Sequence, residues 1–307
     1  MARVNPIPFK KPPLSFSDQV LKLKKRGMLI LDEQKAAFYL SQINYYRFAA
    51  YCLPFELDKE NHCLRQGTSF EDVFNLYIFD REIRLLILDA IERFEVSIRT
   101  QMAYHLSHNH NTAHPHLISQ LFNDQSLYKD ATTRLASDVQ SSKEEFIKHL
   151  RSQYIEALPP IWASVELMSM GQLSKWYSNI KFRSDRQSIA SFYQVDEKVL
   201  TSFCRHLTHI RNYCAHHARL WNRGFTITMS LPRSGPQNLL DGLDSTRLQS
   251  RSKRKVYNTL VMLIHLMSLI NPDHHWTLKL QHLIHHHKID TSKMGFPTDW
   301  HEREIWQ

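Results

Sequence analysis

The sequence predicts an all-α protein built as a helical bundle. Glycine is scarce, at 7 of 307 residues, and hairpin-rich β folds depend on glycine at turns that need a positive φ. Apolar residues recur at three- and four-residue intervals along most of the chain, which is the spacing of one helix face. The hydrophobic fraction of 42% excludes a disordered chain.

The N-terminal part is predicted to be a tail followed by a small helical region. Residues 1–15 contain four prolines and two lysines, which indicates an extended basic tail. Residues 16–68 are expected to form short helices, the first ended by Gly27 and the second capped by Asp32. The stretch 52–67 is predicted to be a loop.

Residues 69–290 are predicted to form the main helical domain, followed by a C-terminal tail over 291–307. Its longest helix starts at Ser69 and continues to His105, and an inserted polar loop is expected over 107–130. Further helices are predicted over 132–155, 162–170 (ended by Gly171), 173–180, 186–192, 196–221, 246–270 and 277–286.

The chain is basic and should attract polyanions. It carries 39 lysines and arginines against 30 aspartates and glutamates, a net charge of +9, and 19 histidines that can add to it. Nucleic acid is one such partner, because binding releases its counterions. Many soluble proteins of this charge bind no nucleic acid, so charge alone leaves the partner open.

The composition also argues against several classes of protein. The four cysteines form no Cys-x-x-Cys pair, which disfavours a zinc ribbon, and a disulfide framework is unusual at this size. The longest apolar stretch, 260–270, is too short to span a bilayer, and the N-terminus lacks an apolar signal core. We therefore expect a cytoplasmic protein without a membrane partner, cofactor or metal.

The segment from Ser202 to His217 combines an apolar face with an unusual polar face. At about 100° per residue, the core stripe consists of Phe203, Leu207, Ile210 and Cys214, and the opposite face of Arg205, His209, Asn212 and His216. Arg211 lies on the flank. A face that is merely solvated normally uses lysine, glutamate and glutamine, and this face has none of them.

These residue types suit the cleavage of RNA. The reaction needs a base for the 2′-hydroxyl, an acid for the leaving 5′-oxygen, and cations for the crowded phosphorus. Histidine can transfer protons in either direction near neutral pH, and the guanidinium fork of arginine matches phosphate oxygens. The segment offers no carboxylate cluster for Mg²⁺.

Residues Arg211 to His216 have the form Arg-Asn-x-x-x-His, which resembles the signature of HEPN-domain ribonucleases. The resemblance implies a HEPN-like helical bundle and metal-independent cleavage that leaves a 2′,3′-cyclic phosphate. It assigns Arg211 to phosphate binding, Asn212 to orientation and His216 to acid–base catalysis. His217, directly after His216, leaves open which histidine is active, and Arg205 and His209 are accessory candidates.

Other segments resemble the Abi-like (AbiD/AbiF) abortive-infection family in content and order, over about residues 14–290. They are 23–28, 43–48, 79–84, 91–99 and 158–162, followed by Glu166, Leu167, Gly171, Leu173 and Ser174. The resemblance implies a toxic endoribonuclease in bacterial anti-phage defence, with a small non-coding RNA and a target RNA as partners and no DNA. Because HEPN nucleases pair two motifs, it also implies a homodimer, or a second half-site at Arg99 and His105 within the chain.

Two basic clusters are candidate RNA contacts, although each alone would suit a solvated face. The first basic cluster is Lys22, Lys24, Lys25 and Arg26, with Arg47 among nearby aromatic residues, and the second is Arg251, Lys253, Arg254 and Lys255. A histidine run at 105–116 lacks acidic or thiolate partners and is interpreted as a polar loop rather than a metal site. Glu95 is expected to pair with Arg99, four residues on.

Three functions remain open on the sequence alone. The first is the toxic nuclease, and the alternative is a non-catalytic RNA-binding protein that uses the same Arg/Asn/His face. The third is an interaction protein with a structural helical bundle and no affinity for RNA. Charge and motif together favour the nuclease.

Overall fold

A computed structural model describes residue 8 and residues 12–58, 60–244 and 254–307. Within these residues the chain contains thirteen α-helices and one two-stranded antiparallel hairpin, which confirms the predicted all-α class. The chain divides into two compact units, Met1–Arg81 and Glu82–Gln307. No helix of the described ranges is long and apolar enough to cross a membrane.

The first unit consists of three short helices, the hairpin and the start of a long helix. They are α1 (Phe16–Lys25), α2 (Glu33–Gln42), α3 (Tyr45–Cys52), β1 (Glu56–Asp58), β2 (Cys63–Leu64) and α4 (Phe70–Asn109). The side chains of Ser15, Asp32 and Asn44 cap the three short helices by accepting backbone N–H groups. Gly27 follows α1 at φ 92°, as predicted for the residue that ends it.

The hairpin corrects the prediction of a plain loop over 52–67. It is fastened to the end of α1 by an ion pair, in which Arg26 donates to Glu56 at 2.5 Å and the Glu56 side chain is only 1% exposed. Arg26 also donates to the carbonyl of His62 at 2.9 Å. The sequence pattern showed no strand here, because β1 and β2 are too short for a visible alternation.

The second unit contains the rest of α4 and nine further helices. They are α5 (Gln125–Ser141), α6 (Glu145–Gln153), α7 (Ile161–Ser164), α8 (Met170–Asn179), α9 (Arg183–Phe192), α10 (Glu197–Ala215), α11 (Gln237–Gly242), α12 (Tyr257–Ile270) and α13 (Trp276–His286). The α10 helix packs against α8 and α9, and α12 is buried over most of its length. The chain end packs too, since Trp306 is 1% exposed and stacks on Tyr257.

Several predicted helix boundaries were wrong. The irregular stretch is confined to 110–124, because α4 runs to Asn109 and α5 starts at Gln125. Gly171 does not end a helix but lies in the first turn of α8, which begins at a capping box formed by Ser169 and Gln172. The last long helix starts at Tyr257, and residues 246–253 of its predicted span lie outside the described residues.

Candidate functional site

The α10 helix has the two faces that its sequence predicts. Five side chains on its apolar face are at most 1% exposed, namely Phe203, Cys204, Leu207, Ile210 and Cys214. The approach of α8 is close, since a Cβ at Gly171 would lie 3.4 Å from Cγ2 of Thr208. Packing on this face therefore fixes the rotation of α10 and determines which side chains face solvent.

The opposite face presents the predicted site residues to solvent. Arg205, Arg211, Asn212 and His216 are exposed, and His209 is half-buried. His216 closes the helix, and its backbone N–H donates to the carbonyl of Asn212 at 2.9 Å. The structure thus brings Asn212 and His216 into the same final turn, with Arg211 one residue before it.

The helix ends in a Schellman arrangement that separates the two adjacent histidines. The N–H of His217 donates to the carbonyl of Cys214 at 3.1 Å, and that of Ala218 to the carbonyl of Tyr213 at 2.9 Å. His217 has a φ of 56°, in the left-handed region, whereas His216 has a φ of −91°. The backbone of His216 therefore continues from the helix, whereas the chain changes direction at His217. The predicted helix to residue 221 is corrected to an end at Ala215.

Glu95 on α4 lies within electrostatic reach of Arg211. Burial raises the pKa of the Glu95 carboxyl above its ordinary value, and the positive charges of Arg99 and Arg211 oppose that rise. The predicted pair with Arg99 is confirmed, with an N···O distance of 2.5 Å. Arg99 also donates to the carbonyl of Met168 at 2.8 Å and lies 3.7 Å from Glu166.

This arrangement adds a functional candidate that the sequence analysis had given only a structural role. Glu95 forms an ion pair with Arg99, one of the predicted half-site residues, and also lies within electrostatic reach of Arg211. The four-residue spacing predicted the pair within α4, but no local pattern could place α4 beside α10. His105 is half-buried on α4, and burial followed by the charge of His108 lowers its pKa.

His206 is a structural residue of α10. It is 2% exposed, and burial lowers its pKa to about 4, with a smaller contribution from His209. Nδ1 lies 2.7 Å from the carbonyl oxygen of Ile227, and Nε2 lies 2.8 Å from Oγ1 of Thr259. A neutral ring with its proton on Nδ1 donates to the carbonyl and accepts from the hydroxyl, so His206 ties both neighbouring segments to α10.

Positive side chains gather beyond the C-terminal end of α10. No aspartate or glutamate lies between Glu197 and Asp241. The guanidinium of Arg223 stacks over the Tyr213 ring at 4.5 Å, and Lys255 donates to the carbonyl of Asn222 at 2.8 Å. The segment that follows the helix therefore contributes cations and no carboxylate before Asp241.

The first basic cluster contributes fewer available charges than its sequence suggests. Arg26 is engaged with Glu56, and Lys24 forms an ion pair with Glu33 at 2.5 Å. Lys22 lies over the Tyr45 ring at 5.2 Å, and Lys25 and Arg47 are exposed. In the second basic cluster, Arg254 is exposed and Lys255 half-buried, and Arg251 and Lys253 lie outside the described residues.

The histidine run does not assemble into a metal-ligand cluster. Among the described residues no group of three or more histidine, cysteine, aspartate or glutamate side chains is placed to hold a metal ion. His110 instead pairs with Asp185 at 2.9 Å. His116 is 1% exposed, and burial lowers its pKa to about 4.

The model of the Abi-like protein family matches residues 38–222, more than half of the chain. This chain belongs to the Abi-like protein family. The match includes Glu95, Arg99 and all of α10 with the Arg211–His216 motif. Membership suggests a role in abortive infection, a defence against phage. Comparison with curated proteins and with solved structures found no match.

Proposed function

We propose that this Abi-like protein is a metal-independent endoribonuclease of the HEPN type that acts as a toxin in anti-phage defence. One observation carries the proposal. Arg211, Asn212 and His216 are exposed at the end of a helix whose other face is fixed in the core. An arginine, an amide and a histidine exposed in this way are open to a phosphodiester that approaches from solvent.

Each side chain has a defined role in the proposed reaction. His216 takes the proton from the 2′-hydroxyl, whose oxygen attacks the adjacent phosphorus and displaces the 5′-oxygen. Arg211 donates to the non-bridging phosphate oxygens and stabilises their growing charge, and Asn212 orients the phosphate. The products are a 2′,3′-cyclic phosphate and a 5′-hydroxyl.

The leaving 5′-oxygen needs a second proton-transfer group. Within the chain the candidates are His209, half-buried one turn before Asn212, and His217, exposed after the helix end. A second copy of the chain can supply the same group, and we therefore propose a homodimer that brings two motifs together. The RNA partners would be a small regulatory RNA and the target RNA.

The proposal is tested by the rate of RNA cleavage in the presence of a chelator. We expect His216→Ala and Arg211→Ala to lower the rate by about 10²–10⁴-fold each, as for loss of a group that acts in the transition state. His149→Ala removes an exposed histidine of α6 and is the matched control, with an unchanged rate expected. Equal rates for all three variants would contradict the assigned roles.

The same variants address the alternative of a non-catalytic RNA-binding protein. The acid-free segment between Glu197 and Asp241 would suit RNA binding with or without cleavage. RNA that binds the wild-type protein but stays intact would favour this alternative. Cleavage that disappears in His216→Ala while binding persists would favour the nuclease.

A further inference from the structure

The segment that follows α10 is fixed to the start of α12 by backbone and side-chain contacts. Phe225 donates its N–H to the carbonyl of Arg254 at 2.7 Å, and Lys255 donates to the carbonyl of Asn222 at 2.8 Å. These two contacts bring four cations together next to the end of α10, namely Arg219, Arg223, Arg254 and Lys255. We refer to these four residues as the cationic track.

Three of the four cations of the track carry charge that no carboxylate of the described residues pairs with. Within the described part of the chain, Arg223, Arg254 and Lys255 form no ion pair with an aspartate or glutamate. Burial lowers the pKa of Lys255, and the charges of Arg219 and Lys293 lower it further. Lys255 therefore experiences repulsion from Arg219, and a bound anion would relieve that repulsion.

The track is anchored directly to the catalytic motif. The Arg223 guanidinium lies 4.5 Å from the centre of the Tyr213 ring, and its Nε donates to the carbonyl of Arg219. Tyr213 lies between Asn212 and Cys214 within the motif itself. Arg223 is thereby held against the residue next to Asn212, and Lys255 is held to the same segment through the carbonyl of Asn222.

We propose that the cationic track binds the backbone phosphates of single-stranded RNA on one side of the scissile phosphate. The inference rests on the proposed function for the identity of the polyanion. Arginine forks bind phosphate oxygens in pairs, and an aromatic ring beside the cations is typical of sites for single-stranded nucleic acid. The affinity of the protein for RNA would then depend on nucleotides that extend beyond the cleaved bond.

The experiment measures RNA affinity without cleavage. An oligoribonucleotide with a fluorescent end is titrated into full-length His216→Ala protein, and its anisotropy gives the dissociation constant at several salt concentrations. Arg223→Glu and Arg254→Glu are introduced singly and together. Arg233→Glu is the matched control, because Arg233 is an exposed arginine of the same acid-free segment outside the track.

We expect each track variant to weaken binding at least about tenfold at low salt and to reduce the salt slope by about 0.7 per lost phosphate contact. The loss should shrink as the oligonucleotide is shortened, since fewer phosphates then reach the track. Arg233→Glu should change the dissociation constant by less than about threefold. Equal losses of RNA affinity in Arg233→Glu and Arg254→Glu, or unchanged salt slopes in the track variants, would contradict RNA binding by the track.

The experiments distinguish a failure of the proposed RNA binding by the track from a failure of the proposed nuclease activity. Wild-type protein that cleaves RNA while the track variants bind normally overturns only the track. Track-dependent binding by a protein that cleaves nothing overturns only the nuclease. Because Arg223→Glu can disturb the stacking on Tyr213, Arg223→Gln and the circular dichroism melt of each variant separate lost contacts from lost folding.

Discussion

His206 should make the stability of the protein depend on pH between about 4 and 6.5. The ring is buried and neutral in the folded protein, where its pKa is about 4, against about 6.5 in the unfolded chain. Between these values the unfolded chain binds more protons, so the free energy of unfolding rises with pH. The stabilisation is complete above pH 6.5 and is lost as the pH falls towards 4.

The two pKa values set the size of the effect. Protonation of the unfolded ring at about pH 5 lowers the free energy of unfolding by about 2 kcal/mol relative to about pH 7.5. Because His206 holds Ile227 and Thr259 to α10, its protonation should also loosen the segment that carries the cationic track.

The assay is urea unfolding at both pH values for wild-type protein, His206→Gln and His149→Gln. Wild-type protein and His149→Gln should lose the same free energy on acidification, whereas His206→Gln should lose about 2 kcal/mol less. The difference between variants isolates His206 from the other buried histidines, such as His116. An identical pH-dependent loss in wild-type protein and His206→Gln would refute the reasoning.

Two further predictions concern packing. Arg26→Ala leaves the buried carboxylate of Glu56 with only the His62 ring, at 3.1 Å, and should cost about 3–5 kcal/mol in urea unfolding, whereas Lys25→Ala, at an exposed neighbour, should be nearly neutral. A small cost for Arg26→Ala would show that the ion pair does not hold the hairpin. Gly242→Ala should lower the melting temperature, because the added Cβ would lie 2.6 Å from Cγ2 of Ile305. Gly224→Ala is the control, since the space around Gly224 is open. Equal melting temperatures for the two variants would contradict the close contact.

The two faces of α10 were predictable because helical periodicity places residues three and four apart on one side. Phe203, Leu207 and Ile210 are buried as that pattern requires, and the helix begins where predicted, with Asp196 as its N-cap. The end of the helix was not predictable. Leu220 and Trp221 continue the apolar spacing, and no glycine marks the turn at His217.

Glycine and charge patterns misled the prediction where tertiary packing determines the outcome. A glycine after an apolar helical run usually marks the end of a helix. Gly171 instead lies within α8, where the missing side chain lets α8 approach Thr208 closely. Arg26 reads as part of a basic surface cluster, yet Glu56, thirty residues later, engages it. The proximity of Glu95 and Arg211 depends on how α4 and α10 pack, which no local pattern records.

The chemistry of the RNA ends produced by the purified protein tests the central claim most directly. Mass spectrometry of a defined oligoribonucleotide cut in the presence of a chelator should show 2′,3′-cyclic phosphate and 5′-hydroxyl ends, and His216→Ala should leave the same RNA intact. Ends that carry a 3′-hydroxyl and a 5′-phosphate, or cleavage that stops when the chelator is added, would contradict catalysis by Arg211 and His216.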